Sequence, residues 1–169
     1  MTVVNRNSLL IAQPIHNMLR NKQLSHGVSH GLTEAGYDIR IKQDVIFKRY
    51  GEGWQTTVQF PGEITKTSGR FALASTVEEF RMPDNLLGIV HDKSTWARRG
   101  LSVFNTVIEP GWEGFLTLEL MYHGDAPLCI PAGAGIAQVL FHEVAHPSRY
   151  AGKYQHQADC PVPALMEMV

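Results

Sequence analysis

What most constrains the fold of this chain is its punctuation. From Tyr37 onward, short runs of alternating or β-branched residues are cut off every few positions by Gly, Pro, Asn or Asp. Such runs are predicted strands: alternation turns one side of each toward a core, and the breakers force turns between them. The predicted strands are Tyr37–Lys42, Val45–Lys48, Trp54–Phe60, Phe71–Val77, Leu87–Val90, Leu101–Phe104, Phe115–Tyr122 and Ile136–Phe141. Turn signals stand at Gly51–Gly53 and at Met82–Asn85, where Pro83, Asp84 and Asn85 precede an apolar run. Ahead of the strands, Leu9, Leu10, Ile11, Ile15, Met18 and Leu19 form a roughly helical stripe within Asn7–Arg20. Pro14 interrupts it, so one or two short helices are expected rather than a long one. The pattern predicts an all-β barrel or folded sandwich with a short N-terminal helical region.

At 169 residues and 18.9 kDa the chain suits a single domain, 1–169, with its own core. Residues 148–169 are polar and then Pro-rich without a period, and read as a C-terminal tail or lid, or as an end that frays. Lys and Arg total 15 against 16 Asp and Glu, a formal charge of -1. A chain so balanced casts no strong field for nucleic acid or an anionic membrane, so any anion site has to be a local cluster. The first residues lack a secretory signal pattern and no apolar run reaches the roughly 18 residues of a membrane span, so the expected location is cytoplasmic. Cys129 and Cys160 make neither a disulfide framework nor a thiolate metal site, and two separate thiols fit a reducing compartment.

Three segments could carry chemistry. His91–Gly100 places Lys93, Ser94, Thr95, Arg98 and Arg99 close together. Cations supply charge and hydroxyls supply directed donors, a combination suited to phosphate oxygens, and a helical turn from Ser94 would set Arg98 on its own face. The plain alternative is a solvated helix start capped by Ser94. In Asn105–Gly114, Pro110 and Gly111 form a tight turn and Trp112 offers a rigid surface. This is a hairpin leading into the next strand, or a loop whose Asn105 and Thr106 face a base or sugar. In Phe115–Tyr122, alternation puts Leu116, Leu118, Leu120 and Tyr122 on one face and Phe115, Thr117, Glu119 and Met121 on the other. Glu119 is then a carboxylate in the middle of an apolar strand. It faces solvent, pairs with Arg98 or Arg99, or serves as a general base whose pKa is tuned by burial.

His142–His146 matches the HExxH pattern of zinc proteases. That chemistry needs a helix, whereas here the motif continues a predicted strand and is stopped by Pro147; four strand positions span roughly 13 Å, too far for one metal. No zinc site is expected, and no zinc-deaminase signature, Walker loop or dinucleotide fingerprint is present.

Read in order, Ala35–Ile41, Lys93–Arg98, Ile108–Gly114, Thr117–Leu120, Gly135–Val139 and Tyr150–Gln157 resemble the dCTP deaminase and trimeric dUTPase superfamily, more closely its deaminase branch. The resemblance implies a β-clip or distorted jelly-roll subunit, a homotrimer with active sites at subunit interfaces, and a C-terminal segment that closes on the nucleotide. It implies zinc-independent hydrolytic deamination of dCTP to dUTP and ammonia. Glu119 would activate the water and carry its proton toward the leaving ammonia, with Ser94 and Arg98 positioning water and carboxylate. The same resemblance carries substrate binding to Lys93, Thr95, Asn105, Thr106, Val107, Glu109, Trp112, Gln138, Tyr150, Lys153, Tyr154 and Gln157. Magnesium would be held mainly by the triphosphate.

Some positions depart from the family pattern. Lys93 stands where Arg is usual, Thr95 replaces a Ser, and the stretch from Arg98 to Glu119 is closer to dUTPase spacing. Glu109 stands where dUTPase-like proteins carry Asp. A dUTP pyrophosphatase, or a bifunctional enzyme taking dCTP to dUMP, is therefore the alternative reading. A non-catalytic nucleotide-binding regulator is the alternative of a different class.

Overall fold

The computed structural model describes residues 2–166. It begins with α1 (Arg6–Ala12), which buries Leu9. Gln13 then turns left-handed at φ 47, donating its N–H to the Leu9 carbonyl, and the helix ends there. The helical stripe does not resume after Pro14. Instead the backbone at Pro14–His16 docks as an extended edge: His16 N–H bonds to Glu79, Arg81 N–H bonds to Pro14, and Ile15 bridges to Phe80. Pro14 cannot donate to a helix ladder but its carbonyl serves a strand partner equally well. Ile15, fully buried, belongs to the sheet core and not to a helix face.

The chain then runs β1 (Gln23–Ser25), β2 (Val28–Leu32), β3 (Tyr37–Arg40), β4 (Asp44–Tyr50), β5 (Gly53–Phe60), β6 (Glu63–Ser68), β7 (Phe71–Arg81) and β8 (Leu86–Asp92). A four-residue helix, α2 (Ser94–Ala97), precedes β9 (Leu101–Val103), β10 (Val107–Ile108), β11 (Glu113–Tyr122), β12 (Leu128–Ile130) and β13 (Gly135–Glu143). Three antiparallel sheets result, in the orders β1-β2-β3-β13-β8-β10, β7-β11-β9 and β12-β4-β5-β6. This is the all-β, distorted jelly-roll architecture expected, with its short N-terminal helix. Every strand predicted from alternation is present. Between the sheets lies one core in which Tyr37, Phe47, Phe80 and Phe141 are fully buried.

Two features of the β7–β11 pair set the geometry around Thr117 and Glu119. The pairing slips between Phe115 and Thr117, so that Leu116 donates not to a ladder carbonyl but to the Thr76 hydroxyl, at 3.1 Å. Such bulges bend a strand and re-aim the side chains beyond them. Beside the slip, Glu78 is entirely buried and accepts two hydrogen bonds from Arg40, one from its backbone N–H at 2.8 Å and one from Nε at 2.9 Å. Burial pushes the Glu78 carboxyl up, against the pull of Arg40. Tyr37, buried beside it, has its phenol pushed up to about 12 by burial and by the Glu78 charge.

Candidate functional site

Glu119 sits on β11, facing Leu73 of β7 across the pair. Its neighbours in sequence, Leu118 and Leu120, point into the core, while Glu119 is half-buried on the opposite face, as alternation predicts. That face is the wall of a cleft of about 430 Å³, a size that suits a nucleotide-sized ligand. Phe71, Leu73, Leu116 and Thr117 form its floor with Glu119. Thr106, Val107, Ile108, Glu109 and Trp112 form one side, so the loop that the sequence offered for a base or sugar does meet the carboxylate. Burial holds the Glu119 carboxyl above the ordinary carboxylate range, opposed only by its own backbone amide. Among the described residues no cation pairs with it, so neither Arg98 nor Arg99 of this chain compensates its charge.

The C-terminal tail forms the other side. Tyr150, Tyr154, Gln157, Val162 and Ala164 all line the cleft. The described part of the tail, residues 148–166, is sewn to the Pro110–Thr117 stretch, and the last residues of the expected tail, 167–169, lie outside the described residues. Tyr150 N–H bonds to the Pro110 carbonyl at 2.8 Å, and the Trp112 indole Nε1 donates to the Tyr154 carbonyl at 2.7 Å. Gln155 works in both directions, accepting from Glu113 N–H at 2.9 Å and donating to the Gly111 carbonyl at 2.8 Å. Thr117 Oγ1 accepts from Val162 N–H at 2.9 Å and lies 3.3 Å from Gln157 Oε1, to which it donates. The close approach requires Gly114, which sits at φ 137 in a parallel bridge with Gln157; a Cβ there would lie 2.6 Å from the Gln157 amide nitrogen. Lys42 and Asp159 form a further ion pair between body and tail.

The remaining candidates lie elsewhere. Ser94 and Thr95 on α2 and Arg98 just after it are exposed and line no part of this chain's cleft, and Asn105 is exposed beside it. Lys93 is withdrawn into an ion pair with Asp38. Gln138, on β13 opposite His91 and Asp38, donates to Thr33 Oγ1 at 3.4 Å. Lys153 is exposed, its ammonium 5.3 Å from the Tyr154 ring centroid. Among the described residues the cleft therefore presents two carboxylates, Glu109 and Glu119, and no Lys, Arg or His in its lining.

Sequence reasoning passes over Gln155 and the clasp made by Thr117. Gln155 has no pattern of its own in a polar run, and alternation puts Thr117 on the face of Glu119 without naming a partner for it. The HExxH residues do not lie on a helix: His142 and Glu143 end β13, with His142 buried and paired opposite Leu87, and His146 is exposed beyond it. Among the described residues no three His, Cys, Asp or Glu side chains converge as metal ligands. Cys129 and Cys160 are free and exposed, and no helix is long and apolar enough to cross a membrane.

The chain matches the dCTP deaminase-like family over residues 9–144. It is 39% identical over 162 residues to a dCTP deaminase of Campylobacter curvus, covering 86% of this chain and 87% of that one. In fold it is similar to a 2'-deoxycytidine 5'-triphosphate deaminase of Agrobacterium tumefaciens, with a TM-score of 0.55 at 14% identity over 85% of this chain and 48% of the other. It is also similar in fold to the dUTPase of Staphylococcus bacteriophage 80alpha, with a TM-score of 0.51 at 16% identity over 82% and 91%. A cleft built on a half-buried strand carboxylate, in an all-β chain with this match along most of its length, leads to one assignment: the chain belongs to the dCTP deaminase-like family of enzymes.

Proposed function

We propose that this enzyme converts dCTP and water to dUTP and ammonia without a zinc ion, with Glu119 as the group that moves the protons. The observation that carries the reading is the placement of Glu119, a half-buried and unpaired carboxylate, on the floor of a nucleotide-sized cleft. A carboxyl held above its usual range is a better base than an exposed one and, once protonated, a competent acid. It takes a proton from water as the oxygen adds to C4 of the cytosine ring. The same proton then goes to the amino nitrogen, the water's second proton ends on N3, and ammonia leaves as the C4 carbonyl of uracil forms. Thr106 and Val107 lie where the base edge would be read, and the tail residues Tyr150, Tyr154 and Gln157 cover the bound nucleotide and exclude bulk water.

A cleft lined by two carboxylates and no cation cannot neutralise a triphosphate by itself. The missing donors, Ser94 at the start of α2 and Arg98 at its C-cap, stand exposed on the same chain. Phe71, Phe104 and Val107 leave an apolar rim beside the cleft, with the Phe71 and Phe104 rings 6.5 Å apart. A second copy of the chain, in a homotrimer, would cover that rim and bring its own Ser94 and Arg98 to Glu119. Lys153, exposed on the tail, would meet the phosphates. Magnesium would come with the triphosphate, since this chain's described donors form no cage for it.

A second reading has one observation in its favour. Glu109 lines the same cleft as Glu119, where it could direct a second water at the α-phosphate and release pyrophosphate. The same enzyme would then carry dCTP through to dUMP.

The two-copy site has a direct test. Arg98→Ala and Glu119→Gln proteins, each inactive alone, should regain ammonia release from dCTP when unfolded together and reassembled, because some mixed sites then receive both native groups. A mixture as silent as its parents contradicts a site shared between copies.

A further inference from the structure

We propose that Asp38 is a positioning residue that holds the Lys93–Arg98 turn in place, and that Lys93 is its tether rather than a ligand for phosphate. The four-residue helix α2 cannot hold itself: it is a single turn, and its N-cap, Lys93, makes no capping bond. Three anchors fix it from outside. The Asp92 carboxylate accepts from Val103 N–H at 2.7 Å, and the Trp96 indole donates to the Gly135 carbonyl at 2.7 Å. The third is the Lys93 ammonium, which donates to Asp38 Oδ2 from a side chain only 11% exposed, onto a carboxylate only 5% exposed. Ser29 Oγ donates to the same carboxylate oxygen at 3.2 Å and holds it toward Lys93.

The residues between these anchors behave differently. Ser94, Thr95 and Arg98 are exposed, and their side chains make no hydrogen bond or ion pair among the described residues. The turn is thus divided into inward members that fix it and outward members left free for a ligand or a neighbouring copy. Lys93 belongs to the inward set. An ammonium committed to a buried carboxylate would have to abandon it, unpaired, in order to reach a phosphate. Lys suits the position better than Arg, because a point charge on a flexible stem satisfies a single carboxylate oxygen, whereas a guanidinium fork asks for two acceptors.

The catalytic part of this inference rests on the reading of Ser94 and Arg98 given above; the structural part does not, so the test has two arms. Hydrogen exchange needs no substrate. In Asp38→Asn, the amides of Trp96, Ala97, Arg98, Arg99 and Gly100, which bond back onto residues 93–97, should exchange about tenfold faster or more, while those of β11 hold their protection. Unchanged exchange in the turn, or an equal rise throughout the protein, overturns the tether.

Kinetics with dCTP form the second arm. Asp38→Asn and Lys93→Met should each lower kcat about tenfold or more with KM within about threefold, and the double variant should be no worse than either. A rise in KM for Lys93→Met that Asp38→Asn does not share would make Lys93 a phosphate ligand and refute the assignment. Unaltered kcat in both variants, with lowered melting temperatures, would reduce the pair to a stabilising contact and refute it equally. If the parent protein releases no ammonia from dCTP while the exchange result holds, the substrate reading fails and the tether stands.

Discussion

Glu119→Gln is expected to lose ammonia release from dCTP by about a thousandfold or more while keeping its fold, its assembly and its affinity for the nucleotide. General acid–base catalysis by one placed group contributes about 10²–10⁴ in rate, and here one carboxylate is asked to serve both the attack of water and the departure of ammonia. Gln preserves the shape of the side chain and its contact with the cleft but can neither take nor give the proton. Without Arg98, the same change should stabilise the protein. Burial raises the Glu119 carboxyl, and an acid whose folded value lies above its unfolded one binds its proton more tightly in the folded state. Stability linked to this group is therefore fully present below the unfolded value of 4.5, and is lost as pH rises from there through the folded value. At neutral pH a cleft without a neighbouring copy's Arg98 carries that cost and its Gln variant does not, so in an Arg98→Ala background Glu119→Gln should melt at an equal or higher temperature, with the difference closing in acid. Kinetics and thermal melts across pH check both halves. A variant that turns over normally removes Glu119 from the chemistry, and one that melts lower at neutral pH in the Arg98→Ala background contradicts the burial argument. In the wild type, kcat/KM should fall on the acid side as Glu119 takes up its proton, since the base must be ionised to act.

The largest loss of stability is expected at Glu78, which does not line the cleft. Its side chain is 0% exposed and Arg40, its partner, only 20%. Glu78→Ala leaves the Arg40 backbone N–H and guanidinium without the acceptors they now share, and opens a void beside the β7–β11 slip. Removing one member of a buried, hydrogen-bonded pair costs about 3–5 kcal/mol, chiefly through the charge left behind. Urea denaturation at fixed protein concentration should show that loss, and Glu78→Gln, which keeps an acceptor for one of the two bonds, should lose less. A change under about 1 kcal/mol in the Ala variant would mean that water reaches Arg40 and replaces the carboxylate.

These two carboxylates also show how far the fold and site can be read from the amino acids. Glu119 stands out because alternation in Phe115–Tyr122 is strict, and one charged residue in that pattern has few explanations. Glu78 lies just beyond the predicted strand Phe71–Val77 and beside Glu79, and a pair of adjacent acids gives no sign of which one turns inward. That depends on the slip opposite Leu116, which only the folded pairing reveals. The strands that escape prediction have no run of alternating apolar residues. All of β6 is exposed, β1 is largely so, β10 and β12 are two and three residues long, and β2, though mostly buried, has Ser29, His30 and Gly31 at its centre. Their register is imposed by neighbours and turns, so no hydrophobic period marks them. Ile15 carries the opposite error, an apolar residue at helical spacing that the sheet claims after Pro14.

For the site, the loop and tail residues that line the cleft are legible as polar and aromatic motifs in order along the chain. Their meeting with Glu119 is not, because it depends on backbone bonds between 110–117 and 150–162, and on bonds from the Trp112, Thr117 and Gln155 side chains whose partners residue type does not name. The inward turn of Lys93 is hidden for a similar reason. A basic residue beside Ser and Arg suggests an anion site, and only the position of Asp38 on β3 shows that its charge is already spoken for.

The central claim is that the Glu119 cleft exchanges the amino group of dCTP for oxygen. Purified protein with magnesium should be given dCTP and dUTP in separate reactions, with ammonia, pyrophosphate and nucleotide products measured together. Ammonia and dUTP in equal amounts from dCTP, with dUTP left intact, is the predicted result; dUMP and pyrophosphate in addition would mean that Glu109 adds a second step. Pyrophosphate from dUTP with no ammonia from dCTP, or no product from either nucleotide, would contradict the account.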